Sequence, residues 1–471
     1  MTAEGGPAGA PRRGRAGEEP FGLPAVWLRH NCPCGRCQDS RNGQRLVSIT
    51  DVAPDVSVVA VRRSGSRVAV EFGPDGHQGV FDAGWLAGFA AAGGERGPSR
   101  RPGGPGTGWA GEDDGRTETA KLLWSAGEMA ARLPQGWWPL FVSDTAHRQA
   151  CLTAVLRDGF VVLGRVPREH GAVAAVARSV SFVRETERGR VMDITARPEL
   201  ADPAFSRRPI PPCTAQAFRD PAPTLHLVHV LDSAAEGGEI TLVDGFGVAA
   251  MLRDQDPAAF GVLAGTTVAF AYADARAQLR ATGPIIGTGP DGRIRQIRYS
   301  SMSMQPVRLP PAQIERFYAA YRTFAELAGR RDMMLTLRLR PGECLITDNT
   351  RILTGRAGFA ETANRRVQVC WADIDAVVSA LALIRHSGGN GIARCLTRAT
   401  WSPGTNCGLP QSPRAVGSPG DQLGKAGSDE RGRKARLAQL LRAGLIRAPQ
   451  QHHARQPLGQ LSARAGHDVV D

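Results

Sequence analysis

Three of the nine cysteines in this 471-residue chain fall within six positions, in Cys32-Pro33-Cys34-Gly35-Arg36-Cys37, while Cys151, Cys213, Cys344, Cys370, Cys395 and Cys407 are dispersed. Thiolates at that spacing can converge on one tetrahedral zinc ion, and a nitrogen ligand from a distant strand would close the shell. An odd total with one tight cluster reads as a metal site plus free thiols, not as a disulfide framework. The competing reading is three unpaired surface thiols. Four protein donors leave no open position, so the role of such a metal would be structural. A second concentration of chemistry surrounds Cys213-Thr214-Ala215-Gln216, with His226 and His229 shortly after it and Asp348-Asn349-Thr350-Arg351 and Arg365-Arg366 much further on.

The elements that must position these groups follow from patterning. The β-branched run 56–61 and the alternating run 67–72, separated by Ser64-Gly65-Ser66, predict antiparallel strands of a small β domain. Residues 93–116 carry Gly, Pro and Arg without periodicity, which predicts a linker. Helices are expected over 122–133 and 145–156, the second capped by Asp144 and stopped by Gly159, then a strand at 160–163 and a helix over 170–180. The prolines of 197–212 predict an irregular loop. Strands are expected at 225–231, 240–243, 267–272, 293–298, 335–339, 344–347 and 367–372, with a short helix at 248–253. Pro310-Pro311 opens a helix whose Ile314, Phe317, Tyr318, Tyr321, Phe324 and Leu327 recur at helical spacing as far as Gly329. This set suits an α+β, mainly β fold, a distorted jelly-roll (double-stranded β-helix) barrel with outer helices, preceded by the small zinc-binding β domain.

The corresponding division is a disordered start (1–20), a zinc-binding β domain (21–92), a linker (93–118), a jelly-roll domain (119–385) and a low-complexity basic tail (386–471). The formal net charge of +13 comes from arginines scattered among Gly and Pro, without interleaved aromatic stacking platforms, so nucleic acid is not the expected partner. No apolar run reaches the length of a membrane span, and Arg12, Arg13 and Arg15 precede no apolar signal region, so a cytoplasmic protein is expected.

Cys213-Thr214-Ala215 before Phe218-Arg219-Asp220-Pro221, then Glu236-Gly237-Gly238-Glu239 through Asp244-Gly245-Phe246, then Leu353-Thr354-Gly355-Arg356, together resemble the iron site of γ-butyrobetaine hydroxylase-like oxygenases. These belong to the TauD/TfdA superfamily of Fe(II)- and 2-oxoglutarate-dependent dioxygenases. Trp27-Leu28-Arg29-His30-Asn31-Cys32 similarly resembles the N-terminal domain of that family, and the likeness runs over roughly residues 25–384. The resemblance implies His77 as the remaining zinc ligand. It implies that Arg365, eleven residues after Thr354, meets the far carboxylate of 2-oxoglutarate. It also implies a His-x-Asp motif and a Leu-His-Gly-Arg motif as iron ligands, and Cys213, Ala215 and Thr354 stand at those three places. Of the substrate-pocket positions, Phe205 and Trp371 remain aromatic, whereas Arg188 and Met192 replace a tyrosine and a tryptophan.

Two readings of function follow. In the first the chain is an oxygenase acting on a small molecule, with Fe2+ held by an unorthodox set around Cys213. A thiol, a methyl group and a hydroxyl make poor ligands for that ion, so turnover is not expected. In the second it is a pseudoenzyme, a non-catalytic homologue acting as a binding or partner subunit, with a homodimer as the family's precedent. His226 and His229 are not expected to stand in as ligands, because three positions apart on a strand they point to opposite faces.

Overall fold

The computed structural model describes residues 12–13, 19–92, 120–196, 202–233, 236–360 and 365–386. The expected linker, the expected basic tail beyond 386 and most of the start expected to be disordered lie outside them.

Alternating β-branched and apolar residues build two facing sheets. The six-stranded sheet has the order Gln135–Trp137, Phe160–Gly164, Cys344–Asp348, Leu225–Asp232, Arg366–Ala372, Met192–Thr195. The four-stranded sheet has the order Met334–Leu337, Ile240–Asp244, Ile352–Arg356, Ile210–Cys213. From Met192 onward the chain crosses repeatedly from one sheet to the other, and every pairing of these later strands is antiparallel. That is the strand order of a jelly roll. Between the sheets, Val228, Val230, Leu345, Val367 and Val369 meet Ile240, Leu242, Leu335, Leu337 and Ile352. On the outer face of the larger sheet, Leu225, Leu227, Ile346 and Ala372 lie under Leu152, Val155, Val176 and Leu381 of the helices Thr145–Asp158, Ala172–Arg178 and Asp375–His386. Strands covered on both faces read as continuous apolar runs, as 225–231 does.

An insertion between Ile240–Asp244 and Met334–Leu337 carries the helices Gly245–Gln255, Pro257–Gly265 and Pro311–Ala328 and two small hairpins. Its hydrophobic core is continuous with that of the N-terminal domain, where Trp27, Phe72 and Phe81 join one cluster with Phe317, Tyr318 and Tyr321. The buried Arg45 guanidinium donates across this junction to the carbonyls of His30, Ser301 and Met304 and to Asn31 Oδ1. A second buried arginine, Arg351, pairs with Asp244 at 2.6 Å, and neither side chain is exposed. Asp244 also accepts from the Phe246 amide at the start of Gly245–Gln255. Removing either partner would leave an unpaired charge in the core.

Several expectations need correction. With ten α-helices among the described residues the fold is mixed α and β, not mainly β. The helix expected over 122–133 spans only Ala126–Ala131, because Ser125 and Glu128 form a capping box that starts it there. The expected loop 197–212 runs into the strand Ile210–Cys213, whose Pro211 and Pro212 are tolerated because that strand lies at the edge of its sheet. The helix Pro257–Gly265 has only a weak apolar stripe, and the sequence pattern did not mark it.

Candidate functional site

Cys213 ends an edge strand and lies directly opposite Thr354 in the antiparallel ladder, with its Sγ 3.7 Å from the Thr354 carbonyl oxygen. Thr354 is two residues from Ile352 and so shares its inward face. Ala215 is held by Asn349, which donates from Nδ2 to the Ala215 carbonyl at 2.9 Å and accepts the Ala215 amide on Oδ1 at 2.9 Å. Between them, the Thr214 hydroxyl donates to the Ile297 carbonyl and accepts from the Tyr299 amide. The backbone that would present three iron ligands is therefore firmly held.

The side chains on it are wrong for iron. Burial pushes the Cys213 thiol up to about 12, so it stays protonated and neutral. Ala215 has no donor atom, and the buried Thr354 hydroxyl has no hydrogen-bond partner. Fe(II) in such sites takes two imidazoles and a carboxylate on one face. Among the described residues, the only group of three or more His, Cys, Asp or Glu side chains with converging donors lies elsewhere, at Cys32, Cys34, Cys37 and His77. The residues here do not fit the metal.

Two arginines, Arg356 and Arg365, stand close to these positions. Arg365 runs past Gly238, whose φ is +73°, and a Cβ there would come within 3.2 Å of the arginine Cδ. Arg356 and Arg365 both lie over the Phe359 ring, at 4.9 and 5.9 Å from its centroid. Arg356 donates from Nη2 to the Ser206 and Arg208 carbonyls, and its Nη1 has no partner. Burial lowers the pKa of both arginines, and Arg356 is lowered further by Arg365. Among the described residues no carboxylate pairs with either. An arginine does not give up its proton in a protein, so two crowded, desolvated guanidiniums favour taking up an anion.

Phe205, Met192, Trp371 and Ala215, on different elements of the sandwich, belong to the same apolar cluster. Arg188 lies at its edge, over the rings of Phe205 and Tyr272 at 5.7 and 6.0 Å. The two histidines lie on opposite faces. His226 stacks on Trp371 inside the sandwich at 4.3 Å between centroids, and His229 lies fully buried between Cys344 and Gln368 of the flanking strands. Desolvation lowers His226 to about 3 and His229 to about 4. As pH falls below the unfolded value near 6.5, only the unfolded chain takes up these protons, so stability declines until the folded values are reached. The expected loss from pH 6.5 to pH 5 is about 2 kcal/mol for each histidine. Urea unfolding at the two pH values checks it, and His229→Met should flatten the slope; an unchanged slope contradicts the assignment.

At the other site, His77 Nε2 lies 3.2 Å from Cys32 Sγ and 3.6 Å from both Cys34 and Cys37 Sγ. With metal–ligand bonds of about 2.3 Å to sulfur and 2.05 Å to nitrogen, a tetrahedron has an S···N edge of about 3.6 Å. The four donors fit zinc. Arg29 donates to Cys37 Sγ at 3.3 Å and pairs with Asp75 at 2.9 Å, which ties the cluster to the turn carrying His77.

Arg188 donates to Asp274 and to the Tyr272 hydroxyl and lies 3.2 Å from Asp202; sequence reasoning missed these three residues as well as Asn349 and Arg356. Asn349 and Arg356 lie inside the motifs already singled out, whereas the other three reach the pocket only through the fold.

Residues 135–371, half of the chain, match the family described as taurine catabolism dioxygenase TauD, TfdA family. Residues 16–87 match the γ-butyrobetaine hydroxylase-like N-terminal family. A γ-butyrobetaine dioxygenase of Pseudomonas sp. (strain AK-1) is 29% identical over 77% of this chain and 90% of its own length. A trimethyllysine dioxygenase of Meyerozyma guilliermondii is 25% identical over 76% and 89%. A solved asparagine oxygenase superimposes on 50% of this chain and 80% of its own, with a TM-score of 0.38 and 17% identity. Two family matches that cover both folded parts make the chain a member of the TauD/TfdA dioxygenase family, of the γ-butyrobetaine hydroxylase-like kind.

Proposed function

We propose that this chain is a γ-butyrobetaine hydroxylase-like homologue that retains the anion-binding part of the family site without the iron. It would bind a small dicarboxylate of the 2-oxoglutarate type through Arg365, with Arg356 beside it, and would not hydroxylate. One observation carries this reading: two guanidiniums with no carboxylate partner among the described residues lie over Phe359, while Cys213, Ala215 and Thr354 supply only neutral or absent donors. The three cysteines and His77 would hold a structural zinc that fixes the N-terminal domain on the insertion helices.

Calorimetric titration of 2-oxoglutarate and succinate in the presence of EDTA tests the proposal. The wild-type protein is expected to bind, and Arg365→Met to lose about tenfold or more, because a charge-assisted hydrogen bond contributes about 1.5–3 kcal/mol. Absence of binding until Fe(II) is added would overturn it.

A further inference from the structure

The N-terminal domain and the insertion enclose a cavity of about 440 Å³, a volume within the range of small-molecule sites. Phe81, Trp85 and Phe89 form its apolar side, with the Trp85 ring 6.3 Å from Phe81 and 4.8 Å from Phe89 between centroids. Trp85 is 37% exposed, so this side can be reached from solvent. The charged lining is mostly cationic, with Arg45, Arg280 and Arg308 against Asp82. Arg45 is only 8% exposed, and every acceptor it meets is neutral, three carbonyls and Asn31 Oδ1. Arg308 lies over the Phe89 ring at 4.2 Å and makes one long hydrogen bond of 3.4 Å to the Gly88 carbonyl. Arg280 is exposed on the strand Gln278–Gly283, opposite Ala271, whose carbonyl accepts from Gln44 of the N-terminal domain at 2.9 Å. Among the described residues no carboxylate pairs with any of these three arginines, and Asp82 accepts the Trp85 amide. Cys32 and Cys37 also reach the wall, where a zinc ion and the Arg29 guanidinium, 3.3 Å from Cys37 Sγ, would balance their thiolates. A guanidinium held out of water without a counter-charge, beside a wall of ring faces, favours an anion that brings its own flat apolar body.

We propose that this cavity binds a small aromatic carboxylate, its ring against Trp85 and Phe89 and its carboxylate accepting from Arg280 and Arg308 in the field of Arg45. Such a ligand touches both walls, so its binding ties the N-terminal domain to the insertion. The site shares no residue with the arginine pair over Phe359 and stands whether or not that pair binds a dicarboxylate.

2-Naphthoate, 2-naphthamide and 2-naphthylmethylammonium share a ring system and differ in charge, and each should be titrated into the intact protein by calorimetry, with thermal melting in parallel. The carboxylate is expected to bind at least about tenfold more tightly than the amide and to raise the melting temperature, and the ammonium ion not to bind. Arg280→Ala, at an exposed position with no partner to lose among the described residues, should fold as the wild type does. It should weaken naphthoate about tenfold and leave naphthamide unchanged. Arg365→Met should bind naphthoate as the wild type does, which separates this cavity from the arginine pair. No binding of naphthoate, equal affinities for acid and amide, no effect of Arg280→Ala, or loss of binding in Arg365→Met would each overturn the proposal.

Discussion

Cys213→His, Ala215→Asp and Thr354→His, made together, will give a protein that takes up about one Fe(II) per chain under anaerobic conditions, where the wild type takes up none. The expectation rests on the backbone being held while the donors are missing. Cys213 and Thr354 are already opposite one another in the ladder, and Asn349 grips Ala215 through both its amide and its carbonyl. Imidazoles are larger than a thiol or a hydroxyl, so overpacking should cost about 1–3 kcal/mol in the metal-free variant. Iron should restore that loss, because a ligand that binds only the folded state stabilises it. A folded triple variant that stays iron-free would show that the corner has changed shape as well as donors.

Removal of zinc will have the second large effect. His77→Ala, or dialysis of the wild type against a strong chelator, should abolish a binding free energy on the order of 10 kcal/mol. The consequence should extend beyond the small domain. The cluster holds the segment that carries Arg45, and Arg45 donates to Ser301 and Met304 in the insertion. Its Trp27 also donates to the Val307 carbonyl across the same junction. Calorimetric melting should therefore show an early transition that takes the insertion's packing with it, while the sandwich between the two sheets melts later. One broad transition identical to that of the untreated protein, with no zinc released, would contradict the assignment of Cys32, Cys34, Cys37 and His77.

Local chemistry made part of this legible from sequence alone. The cysteine cluster shows in the sequence because its three thiols are close in the chain; His77 was reached only by resemblance, since it comes to them through a turn some forty residues later. The jelly roll was recoverable because its strands carry their own apolar patterns, and the helix Pro311–Ala328 because one face of it is apolar. The strand Ile210–Cys213 was not, since its prolines signal a loop and only the partner strand Ile352–Arg356 makes it β. Arg356, Phe359 and Arg365 are close in the chain, but Ser206, Arg208 and Gly238, which hold and crowd the two arginines, come from distant segments. Substitution at the iron positions was plain in the sequence. The firm scaffold beneath those positions was visible only in three dimensions.

The central claim is that this member of a ferrous oxygenase family has kept its shape and its arginines while giving up the metal. The most direct measurement is elemental analysis after anaerobic reconstitution with excess Fe(II) and 2-oxoglutarate, followed by desalting, exposure to oxygen and assay for succinate. About one zinc per chain, no iron and no succinate above background is the predicted result. Stoichiometric iron together with oxygen-dependent succinate would contradict it.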